Sequence, residues 1–304
     1  MSMFKRKSGK DAHCRKIEHH IQELRNLLSG QRVVALDTCV LGELELDMPP
    51  LWFKNFQTMR DDGVRFVIPD LCVGERLRCF ANANHEYHHM MTEKWRKMVL
   101  RLDSIIWKDL PCVPLRGDLF DIVGIQEKDI SVCRESPFTK YKARELYDYF
   151  HGYENSQFNS PEYRLRFEIE IEKVRDEWKK MIESFRGVAR ETPKEHVLLK
   201  ILETQNQSFF FPDGNPVLVE LPFRFLIERS SDQSYCNPAL GKRTKNDGLD
   251  FLMLYLTMVS INVCSTDRFF KMAHDYECVG SCCCHTPDTL FLAWQTGNLS
   301  LVEL

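Results

Sequence analysis

The chain has 304 residues, of which 43% are apolar and 28% are charged, and its formal net charge is −3. This length is sufficient for one large domain or two small ones, and the composition is that of an ordinary globular protein. The slightly negative charge excludes a global basic field for nucleic acid, so any such binding must depend on local basic patches.

The first ten residues, MSMFKRKSGK, are polar and basic and lack the apolar core of a secretory signal. No run of residues has the length and apolar content of a membrane span. We therefore expect a cytoplasmic protein that does not enter the membrane and whose twelve cysteines are reduced thiols.

Short apolar runs alternate with helical patterns in the first part of the chain. Residues 1–31 are predicted to be a basic arm and a helix, and the helical spacing covers residues 17–29. The strands predicted next are residues 32–36, 65–68 and 112–115, and the helices are residues 51–59, a helix from Asp70 onward and residues 90–106. This alternation predicts an α/β fold with a parallel sheet.

The alternation stops near residue 116 and resumes at residue 245. We therefore predict a core made of two parts, residues 32–125 and 245–304, with a mainly helical insertion at residues 126–244. A long charged helix is predicted at residues 162–186. In the second part, the predicted elements are a helix after residue 245, a strand at residues 261–264, a strand within residues 278–285 and a helix at residues 289–295.

Carboxylates recur where predicted strands end or where the following helices begin. They are Asp37, Glu75, Asp247, Asp250 and Asp267. Because the carboxyl ends of parallel strands meet at one rim of a sheet, these acids would lie close together and repel one another. Mg²⁺ or Mn²⁺ would remove that repulsion, since both ions prefer hard oxygen ligands. Acidic clusters that hold such ions are suited to phosphodiester hydrolysis.

The pieces that carry these acids are VVALDTCVL, FVIPDLCVGERL, KNDGLDFLMLYL and VCSTDRFF. In these pieces the chain resembles the PIN-domain family of metal-dependent nucleases, and CHTPDTLFLAW resembles the final strand and helix of that family. The resemblance implies a three-layer α/β/α sandwich with a central parallel sheet. The large helical insertion is a departure from the small members of the family.

The resemblance also implies a function, namely Mg²⁺- or Mn²⁺-dependent cleavage of RNA or single-stranded nucleic acid by the five acids. The choice between Asp247 and Asp250 as ligand stays open, and the preference for RNA rests on the family alone. Many members are bacterial toxins, so a toxin or defence effector with a protein inhibitor or regulator is one expectation. Self-association is left open.

Each acid also has an ordinary structural interpretation. Asp37 could be a turn residue, Asp247 an N-cap with Asp250 in the same first turn, and Glu75 a solvated side chain. Asp70 competes with Glu75, although we interpret Asp70 as the cap of its helix. The alternative function is an inactive PIN-like scaffold that binds a partner. The occurrence of all the acids in the family's order favours the nuclease.

Two metal patterns compete with the acidic cluster. His85, Glu86 and His89 fit the H-E-x-x-H signature of zinc metalloproteases, but the flanking residues are polar and no third ligand is evident downstream. Residues 278–285, CVGSCCCH, suggest zinc binding as well. Adjacent cysteines in a strand point to opposite faces, so we predict that this segment packs in the core instead.

Cations flank the acidic segment. Lys242, Arg243 and Lys245 precede the predicted helix, and Arg268 directly follows Asp267. A surface charge run is often only solvated, but these cations could hold substrate phosphates beside the metal. Because the insertion returns to the core through residues 242–245, we expect it to form one wall of the cleft or a lid over it.

Overall fold

The computed structural model describes residues 22–81, 85–113, 115, 147–148, 150–151, 172, 176, 179, 183, 247–257, 259–274 and 283–302. Residues 78–81, 85–89, 247–248, 252, 255 and 272 of these are described by their backbone only. The predicted basic arm and most of the predicted insertion, including nearly all of the long helix at 162–186, lie outside the described residues.

Five strands and seven labelled helices make up the described part of the chain. The strands are β1 (Val33–Leu36), β2 (Arg65–Pro69), β3 (Cys112–Val113), β4 (Asn262–Cys264) and β5 (Cys284–His285). The helices are α1 (Thr38–Glu43), α2 (Phe53–Asp61), α3 (Asp70–Ala81), α4 (His85–Asp103), α5 (Asp247–Thr257), α6 (Arg268–His274) and α7 (Pro287–Gln295). A helix also covers residues 22–28.

The central strand is β1, whose four residues VVAL are all buried. Its β-branched and small side chains suit a strand that is covered on both faces. It pairs in parallel with β2 through Val34 and Phe66, and with β4 through Ala35 and Val263. With β3 and β5 at the edges, the sheet has the order β3-β2-β1-β4-β5 and every pairing is parallel. The predicted α/β fold with a parallel sheet is confirmed.

The strand order reverses at the centre of the sheet. From β1 the chain moves outward to β2 and β3, and it later returns to the other side of β1 as β4 and β5. The carboxyl ends of β1 and β4 therefore flank the reversal, and we call this place the switch point. Open α/β sheets bind their ligands at such points, outside the carboxyl ends of the strands.

The strands lie where the sequence predicts them, with ends that differ by one or two residues. Helix α1 was not predicted, because six residues are too few to show a helical period; Asp37 begins it by accepting the N–H of Thr38. Helix α4 starts at His85 rather than at residue 90, since its first turns are polar and lack an apolar stripe. Helix α7 starts at Pro287, where Thr286 and Thr289 form a capping box.

Two described residues of the predicted insertion, Phe150 and His151, contact α4. The Trp95 indole N–H donates to the carbonyl of Phe150 at 3.0 Å, and Tyr147 and Phe150 are both buried. His151 lies 3.2 Å from Asp103 at the end of the same helix. None of the helices in the described part of the chain combines the length and the apolar content that a membrane span needs.

An aromatic stack joins α2 to the sheet. Phe56 of α2 is completely buried, and its ring centroid lies 4.5 Å from that of Trp52 and 4.8 Å from that of Phe66 on β2. These rings fill the space between the helix and the strand next to β1, so the position of β2 depends on them.

We expect Phe56→Ala to lower the free energy of unfolding by about 3–5 kcal/mol, because it leaves a cavity in a closely packed stack. Leu51→Ala is the matched control, since Leu51 is 99% exposed and its loss should change stability by less than about 0.5 kcal/mol. Urea denaturation measures both. Equal losses in the two variants would contradict the proposed packing role.

Candidate functional site

Asp37 is the most deeply buried of the four candidate acids whose side chains are described. It directly follows β1, is 4% exposed, and accepts the backbone N–H of Thr38 at Oδ1 over 2.6 Å. Its Oδ2 accepts the hydroxyl of Ser265 at 2.7 Å and the thiol of Cys39 at 2.9 Å. Residues from both strands at the switch point thus hold this carboxylate.

Glu75 joins the same site through a hydroxyl. The Thr38 Oγ1 donates to Glu75 Oε2 at 2.6 Å, so one residue of α1 binds Asp37 with its backbone and Glu75 with its side chain. The competing acid, Asp70, is engaged elsewhere: its Oδ1 accepts the N–H groups of Leu71 and Leu115, each at 2.8 Å. Asp70 connects the start of α3 to the segment after β3, and Glu75 reaches the switch point.

Asp267 lies on the opposite side of the switch point, after β4. Its backbone N–H donates to Ser265 Oγ at 2.9 Å, and its exposed carboxylate accepts the N–H of Phe269 at 2.7 Å, at the start of α6. Ser265 therefore contacts both Asp37 and Asp267. This single hydroxyl connects the carboxylate of Asp37 to the backbone of Asp267.

Helix α5 approaches the site through Met253. The Cys72 Sγ lies 3.5 Å from Met253 Sδ and 3.8 Å from Asp37 Oδ1, so α5 passes beside the buried carboxylate. Asp250 is three residues before Met253, and residues at this spacing share a face of a helix. The half-buried Asp250 thus lies one turn closer to the beginning of α5. Asp247 begins this helix and is described by its backbone only.

The electrostatics of the cluster centre on Asp37. Burial raises its pKa above the ordinary value, the hydrogen bonds from Cys39, Ser265 and Thr38 oppose that rise, and the negative charge of Asp267 adds to it. Burial and the charge of Asp37 also raise the pKa of the Cys39 thiol to about 12. The Cys39 thiol therefore stays protonated and donates a hydrogen bond to the carboxylate.

The donor set suits a hard divalent cation. It consists of carboxylate oxygens, and the pKa of Asp37 is raised mainly by burial and to a lesser extent by the charge of Asp267, so a cation would stabilise the ionised form. Among the residues that the structure describes, no three histidine, cysteine or acidic side chains converge as a ready-made metal-binding group. The acids are connected through Thr38 and Ser265, and a metal would have to draw them together.

The remaining candidate residues have different positions. Arg268 is exposed at the start of α6, beside Asp267, whereas Lys242, Arg243 and Lys245 lie outside the described residues. His85, Glu86 and His89 form the first turn of α4, and their side chains are not described. In the predicted core segment at 278–285, the described residues are Cys283, Cys284 and His285, and all three are buried.

Four residues that contact the acids were not predicted to belong to the site: Thr38, Cys39, Cys72 and Ser265. A signal for two of them exists in the sequence, because hydroxyl residues stand directly beside the strand-end acids in DTCVL and CSTDRFF. The two cysteines carry no such signal, since a cysteine near a strand is more often a small core residue.

We expect Asp37→Asn to leave the free energy of unfolding at neutral pH unchanged or raised, because it removes a buried negative charge. The amide oxygen can still accept from Thr38 and the amide nitrogen can donate to Ser265. The folded-state pKa of Asp37 is raised above 3.8, so ionisation lowers the stability of the wild type as the pH rises through that folded value. The advantage of the variant should therefore disappear at pH values below 3.8, where Asp37 is protonated in both states.

Urea unfolding over a range of pH measures this difference. The control is Asp61→Asn, because Asp61 is exposed and lies at the end of α2, near the amino end of β2. A stability difference between Asp37→Asn and wild type that does not depend on pH would show that burial does not perturb this carboxyl group.

No protein-family model matches the chain, and no curated protein or solved structure matches it either.

Proposed function

We propose that the protein is a PIN-like nuclease that hydrolyses phosphodiester bonds of RNA or single-stranded nucleic acid with Mg²⁺ or Mn²⁺. The observation that carries the proposal is the connection of Asp37 to Asp267 through Ser265 at the switch point. A protein without such a site would have little reason to bury one carboxylate beside another, because burial and like charge both destabilise it.

We also propose the three-layer α/β/α arrangement with a large helical insertion. Connections between parallel strands are right-handed almost without exception. Since the chain moves in opposite directions from β1 to β3 and from β4 to β5, the connecting helices of the two halves belong on opposite faces. The insertion, at residues 126–244, enters between β3 and α5 and returns just before the acids of α5.

In this proposal the acids hold the metal and their neighbours orient them. Asp37, Glu75, Asp267 and at least one of Asp247 and Asp250 would be the ligands. When bound, the ion supplies a more acidic water and a stabilising charge for the leaving oxygen. Thr38 orients Glu75, and Ser265 orients Asp37 and fixes the backbone at Asp267. Because Asp37 is buried, bulk water has little access to its carboxylate.

The substrate would be held by cations beside the acids. Arg268 is exposed and adjacent to Asp267, so its guanidinium can contact a phosphate next to the one that is attacked. Lys242, Arg243 and Lys245 precede α5 in the chain and are proposed to extend this basic edge. A preference for RNA, a role as a toxin or defence effector, control by a protein inhibitor and a cytoplasmic location are further proposals that rest on the family resemblance and the sequence.

We expect Asp37→Asn to reduce Mn²⁺-dependent cleavage of a single-stranded RNA by more than about a hundredfold. Loss of an outer partner of a metal ligand costs about 10- to 100-fold, and loss of a charged ligand should cost more. Cleavage of a fluorescently labelled oligonucleotide by the pure full-length chain measures the effect. Asp61→Asn, which changes an exposed acid near the amino end of β2, should cleave as fast as wild type.

A pure Asp37→Asn variant that cleaves as fast as wild type would place the active site elsewhere. A wild-type chain that binds Mn²⁺ through Asp37 but cleaves neither RNA nor single-stranded DNA would favour the alternative, an inactive scaffold. These two outcomes are separated by measuring Mn²⁺ binding and cleavage on the same preparations.

We expect Arg268→Ala to weaken binding of single-stranded RNA and to reduce the slope of log affinity against log salt by about 0.7, the value for one lost phosphate contact on a single strand. The triple replacement of Lys242, Arg243 and Lys245 by alanine should lower the slope further, by a similar amount for each contact. Fluorescence anisotropy over a salt series measures the slope, with Asp37→Asn as background to prevent cleavage. Lys108→Ala is the control, because Lys108 lies before the amino end of β3. Equal slopes for Arg268→Ala and Lys108→Ala would contradict the proposed contact.

A further inference from the structure

Four potential donors surround the carboxylate of Asp37. Oδ1 accepts from the Thr38 N–H, and the Cys72 thiol lies 3.8 Å from the same oxygen. Oδ2 accepts from both Cys39 and Ser265, which are the two hydrogen bonds that a carboxylate oxygen with two lone pairs can accept. A cation that binds Oδ2 therefore competes with one of these two donors.

The four donors differ in how easily they can leave. The Thr38 donor is a backbone group fixed by the start of α1, and the Ser265 hydroxyl is buried and also accepts the backbone N–H of Asp267. The two thiols are the weaker donors. Cys72 is completely buried and its Sγ packs against Met253, whereas Cys39 is half-buried. Among the donors, only the Cys39 side chain is weak and also able to turn toward solvent.

Other contacts keep Cys39 in place while it covers Asp37. Its Sγ accepts the backbone N–H of Thr266 at 3.1 Å and lies 3.2 Å from the Ser265 oxygen. The thiol is thus held between the residues that follow β1 and those that follow β4. Because Thr266 is exposed, the contact with its N–H connects the thiol to a residue at the surface.

We propose that the Cys39 thiol is a gate for the metal site: it occupies Oδ2 of Asp37 in the metal-free chain and turns away when Mg²⁺ or Mn²⁺ binds. The inference rests on the proposed function, because it concerns the metal of that site. Cys39 is a positioning residue in this scheme, and it sets the affinity for the metal by competing with it. The gate keeps the buried carboxylate hydrogen-bonded whenever the metal is absent.

The first test measures Mn²⁺ affinity by the electron paramagnetic resonance signal of free Mn²⁺, with the full-length chain at mildly alkaline pH to limit competition by protons. Cys39→Ala removes the competing donor and should bind Mn²⁺ about threefold to tenfold more tightly, as expected for one neutral hydrogen bond. Cys39→Ser keeps a donor and should not bind more tightly than wild type. Cys283→Ala is the matched control, because its buried thiol contacts Ser300, in the segment after α7, and it should bind as wild type does.

The second test needs no variant at position 39. Alkylation of Cys39 in the wild-type chain, followed by mass spectrometry of its peptide, should become faster when Mn²⁺ is added, because the thiol turns toward solvent. Addition of Mn²⁺ should not change this rate in Asp37→Asn.

The outcomes separate the gate from the metal site itself. If Asp37→Asn binds Mn²⁺ as tightly as wild type, the proposed metal site is wrong and the gate is wrong with it. If Asp37→Asn loses binding while Cys39→Ala binds Mn²⁺ equally or more weakly, the site stands and the gate is overturned. A labelling rate of Cys39 that Mn²⁺ leaves unchanged or slows in wild type would also overturn the gate.

Discussion

The candidate site depends on the parallel pairing of β1 with β4. Leu36 lies opposite Cys264 in this pairing, so the next residues of the two strands, Asp37 and Ser265, come side by side. The Asp37 N–H continues the ladder by donating to the carbonyl of Cys264 at 3.1 Å. The hydrogen bond from Ser265 to the Asp37 carboxylate is a direct result of this register. A shift of one residue would turn the hydroxyl to the other face of the sheet and leave a buried carboxylate with fewer donors.

The burial of Asp37 has two opposing effects, because it destabilises the ionised carboxylate and increases its attraction for a cation. A buried carboxylate is unfavourable in its charged form, and the nearby Asp267 makes it more so. The surrounding hydrogen bonds lower that penalty without removing it. A carboxylate in this state gains more from a cation than an exposed one does, because the attraction acts where water screens it less. Burial of the charged Asp37 therefore destabilises the metal-free fold, and the same burial would increase the attraction between this carboxylate and a divalent cation.

The sequence predicts the parallel strands and the acids at their ends because both follow from local patterns. The VVAL run and the Asp37 after it are adjacent in the chain, and so are the strand at β4 and Asp267. The strand order cannot be predicted in this way, because no residue near β1 in the sequence indicates that β4 pairs with it. The contacts of Cys39 with Asp37, Ser265 and Thr266 depend on that long-range pairing. For this reason the acids can be predicted from local sequence patterns, whereas the contacts of the thiols and hydroxyls that hold them cannot.

The separation of the two halves of the site along the chain has a consequence for synthesis. Ser265 stands 228 positions after Asp37 and binds it across the switch point. While the chain leaves the ribosome, β1, β2 and β3 are complete long before β4 exists, and the side of β1 that receives β4 stays open. The acids after β1 and β4 cannot meet until the chain has been synthesised through β4. A protein of this design, if it cleaves RNA as proposed, gains its activity only after the ribosome has added Ser265 and Asp267, long after it has added Asp37.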